Sequence, residues 1–221
     1  MEHIVKIISV TRVTHDVRQY NLEKPEGFHF NPGQATDVSI NEPKWKDELR
    51  PFTFTCLNGD PYLQFTIKSY TDHDGVTKRL GELEAGDELI IRDVWGAIEY
   101  KGPGYFIAGG AGITPFIAIL RQLREDGQLE GNTLFFSNKT DQDIILENEF
   151  RAMQGLNIIF STTQQKGGAN DHRKIDLEFL KAEVKDFNKH FYVCGPDPMI
   201  KDINDSLEKL GVKPDTVVFE K

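Results

Sequence analysis

Cysteine is scarce in this chain. Cys56 and Cys194 are the only two, far apart and in no metal-ligand spacing. That excludes a disulfide framework, a zinc ribbon and the ligand set of an iron–sulfur cluster within these residues. Positive charge is also in deficit: 26 Lys and Arg stand against 35 Asp and Glu, a formal net charge of −9. Nucleic-acid binding rests on Lys and Arg neutralising phosphates, so neither a nucleic acid nor an anionic membrane surface is an expected partner. A local basic patch for an acidic protein stays open. No apolar run approaches the length of a membrane span. Met1–Val10 lacks a basic segment followed by a sustained apolar run, so no signal peptide is expected and the cytoplasm is the expected compartment. His3, His15, His29, His73, His172 and His190 are scattered, with no metal-site spacing. No His/Asp or paired-carboxylate constellation points to a general base. Repeats and low-complexity tracts are missing as well. The remainder is an ordinary globular composition in 221 residues, enough for one large domain or two small ones.

The two halves differ in rhythm. Up to about residue 100 the chain reads as short strands: Ile4–Val13, Val17–Leu22, Ala35–Ile40, Pro51–Leu57, Tyr62–Tyr70 and Glu88–Arg92. Turn signals separate them, among them Pro25-Glu26-Gly27, Asn31-Pro32-Gly33 and the hairpin turn Asn58-Gly59-Asp60-Pro61. Asn41–Leu49 is a polar loop, and Asp74–Leu83 has room for one short helix. This spacing predicts a small antiparallel barrel or sandwich. The pattern changes at Lys101-Gly102-Pro103-Gly104. Strands at Thr133–Ser137, Leu156–Ser161, His190–Cys194 and Thr216–Phe219 then alternate with helices at Ile144–Met153, Ile175–Val184 and Pro198–Leu210, the last capped by Asp197. That is the rhythm of a doubly wound parallel sheet. The boundary implies domains 1–100 and 101–221.

The chain is organised around Tyr105–Leu120. An apolar run, Tyr105–Ala108, fits a buried parallel strand. Gly109, Gly110 and Gly112 follow, then Thr114 as a helix cap, Pro115 in the first turn, and Phe116, Ile117, Leu120 and Leu123 at helical spacing. Strand, glycine turn and helix N-terminus make an anion site, and the glycines let a diphosphate approach the backbone. The pattern is G-x-G-x-x-P rather than the full dinucleotide fingerprint, so a plain strand-to-helix turn remains an alternative. Cys194-Gly195-Pro196 also falls at a strand's carboxyl end, where such sheets bind ligands, so the two turns could share one crevice.

Three stretches now fall in order: RPFTF at Arg50–Phe54, GGAGITPF at Gly109–Phe116 and YVCGPDPM at Tyr192–Met199. With a β half before an α/β half, the chain resembles the ferredoxin–NADP reductase superfamily of flavoproteins over about Ile4–Phe219. The resemblance implies an N-terminal antiparallel β-barrel FAD domain followed by a doubly wound nucleotide-binding domain. Arg50 would face the FAD diphosphate, Pro51 would belong to the same motif, Phe52 would lie against the isoalloxazine ring, and the Thr53 hydroxyl would bond near flavin N5. A guanidinium is a forked, permanent cation for phosphate and an aromatic face is a stacking surface. In an extended strand Arg50 and Phe52 share a side. Ile67, Lys68 and Ser69 would offer backbone to the ribityl chain, and Gly75, Val76 and Thr77 would cradle the diphosphate. Gly109, Gly110, Gly112 and Thr114 match the nicotinamide-dinucleotide turn. Cys194, Gly195 and Pro196 would sit beside the nicotinamide ring, with Cys194 supplying shape and contact rather than nucleophilic attack. Phe219 is near the chain end, where some members place an aromatic over the flavin, but Glu220 and Lys221 follow it here.

Each of these positions has a structural reading as well. Phe52 and Phe54 fit a core, Arg50 an edge, Cys194 a buried small hydrophobe, Met199 packing, and Phe219 an edge strand. Members that prefer NADP often place Ser-Arg after the third strand of the nucleotide half. Ser161-Thr162-Thr163-Gln164 lacks that arginine, which leans to NADH over NADPH, although Lys139, Lys166, Arg173 or Lys174 could supply charge. The implied reaction is hydride transfer from NADH or NADPH to FAD, then electron transfer to a separate acceptor, flavodoxin or ferredoxin first, or a small acceptor or partner oxygenase. A monomer is expected. Two other classes stay open: an electron-transfer subunit of a larger redox complex, and a nucleotide-binding interaction module without turnover.

Overall fold

The computed structural model describes residues 1–72, 74–96, 98–165 and 167–219, with no side chain for Phe219. His73 and Lys166 lie outside the described residues. The chain forms two compact units, Met1–Gly96 with Thr114–Gln122, and Ala97–Ile113 with Leu123–Lys221.

The first unit has six strands: β1 (His3–Arg12), β2 (Val17–Glu23), β3 (Ala35–Ile40), β4 (Arg50–Thr53), β5 (Tyr62–Lys68) and β6 (Glu88–Trp95). They pair antiparallel in the order β4-β3-β6-β1-β2-β5. The two edges meet where Phe54 bridges Phe65 and the Thr55 N–H donates to the Gln64 carbonyl at 2.9 Å. That contact closes the sheet into the expected barrel. Inward residues Tyr20, Phe54, Leu63, Phe65, Leu80 and Ile91 fill it, each large side chain contributing about 1.5–3 kcal/mol by leaving water. The Tyr20 hydroxyl donates to the Leu80 carbonyl at 2.7 Å and ties the single helical turn α1 (Val76–Leu80) to the barrel. Burial pushes the Tyr20 phenol up to about 12, so it remains a donor at any ordinary pH.

The second unit carries the strands β7 (Gly104–Gly109), β8 (Thr133–Asn138), β9 (Asn157–Thr162), β10 (His190–Cys194) and β11 (Val217–Phe219). They form a parallel sheet in the order β11-β10-β7-β8-β9. Helices α2 (Thr114–Glu125), α3 (Glu147–Arg151), α4 (Leu177–Glu183) and α5 (Asp197–Lys209) connect them. Tyr105, Ile107, Phe135 and Val193 pack one face against Phe179, Leu180, Ile203 and Leu207. Phe136, one residue beyond Phe135 and so on the opposite face, meets Phe150 of α3 edge-on. The Tyr192 hydroxyl accepts from the Lys101 and Gly102 N–H groups at 2.9 and 3.1 Å and donates to the Gly102 carbonyl, fixing the entry into β7. This is the doubly wound sheet that the alternating pattern predicts. Among the described residues no helix is long and apolar enough to cross a membrane.

Candidate functional site

In the first unit the residues of interest gather at β4 and β5. Along β4, Arg50 and Pro51 are exposed, Phe52 is half-buried and Thr53 is buried. Arg50 donates to its neighbour's carbonyl, Leu49, at 2.6 Å and approaches Glu48 only to 3.8 Å. Most of its guanidinium donors are therefore uncommitted. Phe52 packs one side against Phe65 with 6.2 Å between ring centroids and leaves the rest of its ring open. Thr53 is 8% exposed, and its hydroxyl makes no hydrogen bond with a described residue. A forked cation, an open aromatic face and an unpaired hydroxyl follow one another along four residues. That donor set fits a planar, phosphate-bearing cofactor.

On β5 the three expected backbone contributors are not equivalent. The Ser69 N–H donates to the Asp16 carbonyl at 2.8 Å. By strand alternation Ile67 also faces β2. Only Lys68 turns its peptide groups to the edge away from β2, while its ammonium pairs with Asp16 at 2.8 Å. Desolvation works against the Asp16 carboxylate, but hydrogen bonds from Lys68 and Thr14 prevail and hold its pKa below the usual range. Gly75 is the N-cap of α1, without a side-chain cap, and Val76 and Thr77 begin the helix. The Thr77 hydroxyl accepts from the Tyr70 N–H at 3.4 Å. One turn carries little dipole, so any anion binding there rests on the N–H groups themselves. Arg79 is committed to Glu42 and Glu82.

In the second unit β7 ends at Gly109, and Gly110–Ile113 forms a 3-10 turn before α2. Thr114 is the first α-helical residue rather than a cap, because that turn already supplies the entry. The glycines have separate reasons. A Cβ on Gly112 would stand 2.4 Å from the Cys194 carbonyl oxygen, and one on Gly109 2.4 Å from Met199 Sδ. Gly195 lies against the Gly109 backbone. The Gly109–Gly112 and Cys194–Pro196 turns are thus in contact at the carboxyl ends of neighbouring strands. Gly110 differs: its φ is +52°, and nothing lies within 4 Å of the position of its missing Cβ. Cys194 is buried at 8% exposure and in no disulfide. Pro196, not Asp197, occupies the N-cap of α5, and Asp197 is its first helical residue. Phe219 takes part in β11, and its side chain is outside what is described.

The cations that could receive an extra phosphate on the dinucleotide are mostly engaged. Arg173 pairs with Asp171 and with Glu183 at 2.7 Å, and Lys174 pairs with Asp202 at 2.7 Å. Hydrogen bonding from Arg173 holds the Asp171 carboxyl below its ordinary range. Lys139 is exposed and has no acid partner among the described residues. Sequence reasoning passed over Asn138, which ends β8 one residue past the expected strand. Both of its amide atoms are buried without a hydrogen-bond partner, a state that costs about 1–3 kcal/mol. The only sequence signal was a polar residue closing an apolar run.

An antiparallel barrel with a phosphate-suited strand, and a parallel sheet with a dinucleotide-suited turn, define the class of two-domain flavin and nicotinamide oxidoreductases. An oxidoreductase FAD-binding domain matches residues 4–100, and an oxidoreductase NAD-binding domain matches residues 106–205. The reductase component of propane 2-monooxygenase from Rhodococcus jostii is 24% identical, over 98% of this chain and 62% of that protein. NADH-cytochrome b5 reductase 2 from Mycosarcoma maydis is 28% identical, over 86% of this chain and 60% of that protein. A ferredoxin NADP+ reductase from Neisseria gonorrhoeae, solved with bound FAD and NADP, superposes with a TM-score of 0.86 at 18% identity, covering 99% of this chain and 98% of that one. The chain belongs to the ferredoxin–NADP reductase superfamily of FAD- and NAD(P)-binding oxidoreductases. It spans 60–65% of the length of the first curated relatives it matches.

Proposed function

We propose that this chain is an FAD-dependent reductase that takes a hydride from NADH and passes the electrons to a separate redox acceptor. The observation that carries the reading is β4, where the Arg50 guanidinium with most of its donors uncommitted, the half-buried Phe52 ring and the unpaired hydroxyl of Thr53 stand in succession. When bound, FAD accepts the hydride and hands its electrons on. Arg50 binds the diphosphate as a forked cation, with the N–H groups at Gly75, Val76 and Thr77 as further donors. Phe52 and Thr53 orient the flavin ring, Thr53 by a hydrogen bond. Lys68 offers its free peptide groups to the linker between ring and phosphates, with Ile67 and Ser69 as its frame. Gly109, Gly110, Gly112 and Thr114 receive the nicotinamide dinucleotide's phosphates, and Cys194, Gly195 and Pro196 shape the space for its nicotinamide. Holding both partners in register is the main rate contribution asked of the protein.

NADH is the proposed donor because Arg173 and Lys174 are already paired with acids. For the acceptor, the relatives' names offer oxygenase components and cytochrome b5, and a flavodoxin or ferredoxin suits the same role. A second reading, a reductase component that works only inside a larger system, draws on the "reductase component" in the relatives' names.

The test is an absorbance spectrum of the purified chain with FAD, then anaerobic addition of NADH and, separately, NADPH. A flavin spectrum that NADH bleaches faster than NADPH is expected. A chain that takes up no FAD overturns the reading and leaves a nucleotide-binding module. Flavin that neither donor bleaches, with a stoichiometric partner on native purification, supports the subunit reading.

A further inference from the structure

Asn138 is the one side chain among the described residues whose buried amide lacks partners at both Nδ2 and Oδ1. Its backbone carbonyl is in use, accepting from the Thr163 N–H at 3.0 Å and the Thr163 hydroxyl at 3.2 Å. The side chain is 5% exposed at residue level, so the free chain bears an unfavourable burial with no structural return. An apolar side chain of similar volume would remove that burden.

Its place in the fold indicates where the return lies. The β7–β8 register sets Gly109 beside Ser137, which brings Asn138 level with Gly110, the first residue of the 3-10 turn. β8 packs against that turn. The missing partners are one donor and one acceptor. A diphosphate offers acceptors only, and both amide atoms are covered, so the partner is protein backbone rather than the ligand itself. The Gly110–Ile113 turn has peptide groups of both kinds, and no atom beyond its chain neighbours lies within 4 Å of the position of Gly110's missing Cβ. We infer that Asn138 is a positioning residue for the dinucleotide turn: when the diphosphate docks, the Gly110–Ile113 backbone moves to give the Asn138 amide the donor and acceptor it lacks. Part of the binding free energy thus comes from relieving an unpaired group, in the way a functional site can trade stability for affinity. The inference rests on the function proposed above.

The experiment uses the full chain loaded with FAD, and NAD+ as the probe. Asn138→Leu should keep or raise the thermal midpoint while weakening NAD+ binding about tenfold, roughly 1.4 kcal/mol. The limiting rate of flavin bleaching by saturating NADH should stay close to wild type. In the ¹⁵N spectrum of the wild type, saturating NAD+ should shift the Asn138 Nδ2 protons and slow their exchange. An unchanged NAD+ affinity in the variant overturns the inference. If the variant does not fold, the wild-type spectrum decides, and side-chain signals that ignore NAD+ overturn it. A wild type that is bleached by NADH but shows neither effect removes only this inference. One that binds no NAD+ removes the proposed function as well.

Discussion

Arg50 makes few demands on its own chain. It donates to Leu49 and lies 3.8 Å from Glu48, in a half-exposed position. Truncating it should therefore cost the fold little, within about 0.5 kcal/mol as for other surface changes. The same truncation should lower FAD affinity by about tenfold or more, because charge-assisted bonds to phosphate are the strong ones. Fluorescence titration of the apoprotein with FAD checks this for Arg50→Ala, with Arg50→Lys intermediate because it keeps charge but not the fork. Equal FAD affinity in all three would remove Arg50 from the site. The Arg50–Thr53 stretch was legible in sequence because residue type and strand alternation alone define it. Asn138 was not, since being unpaired is a property of packing. Nor was the inequality among Ile67, Lys68 and Ser69, which depends on Asp16 taking the Ser69 N–H.

At the scale of elements, strands were easier to read than short helices. Asp74–Leu83, with room for one short helix, holds the turn Val76–Leu80, and beyond it the Glu82 and Leu83 N–H groups donate to the Arg79 and Leu80 carbonyls, so the chain continues in looser three-residue turns rather than as α-helix. The expected Ile144–Met153 shrinks to Glu147–Arg151. Thr140 and Asp143 form a capping box over the 3-10 turn Asp141–Asp143, and Leu146 then adopts φ 54°, so no helix can run through. Apolar spacing does not reveal such interruptions. The glycine turn was legible as an element, but the separate duties of its glycines were not. Gly112→Ala should force the two loop turns apart, since the obstacle at 2.4 Å is backbone. A loss of about 1–3 kcal/mol is expected, as for overpacking, together with loss of NADH-driven bleaching. Gly110→Ala meets open space and should cost only about 1 kcal/mol for its left-handed backbone. Urea unfolding of both variants separates the cases, and equal losses would mean that the turns are not in tight contact.

For the whole molecule the governing quantity is charge. The net −9 sets a repulsive field for any anionic substrate, and the dinucleotide unit pairs its Arg173 and Lys174 with acids instead of leaving them for a ligand. NADPH differs from NADH by one phosphate, about −1.5 to −2 charge near neutral pH. The background field therefore disfavours NADPH more than NADH. Screening decides how far that field reaches: the Debye length falls from about 30 Å at 0.01 M salt to about 8 Å at 0.15 M. The ratio of kcat/KM for NADH over NADPH should be largest at low salt and fall severalfold as salt rises. The opposite slope has a definite cause as well. If Lys139, at the carboxyl end of β8 and without an acid partner among the described residues, receives the extra phosphate, salt weakens that pair and the ratio rises. Lys139→Ala then tells a field from a contact. Under the field it deepens the preference for NADH only slightly and leaves the slope falling. Under the contact it raises the ratio sharply at low salt and reverses the slope.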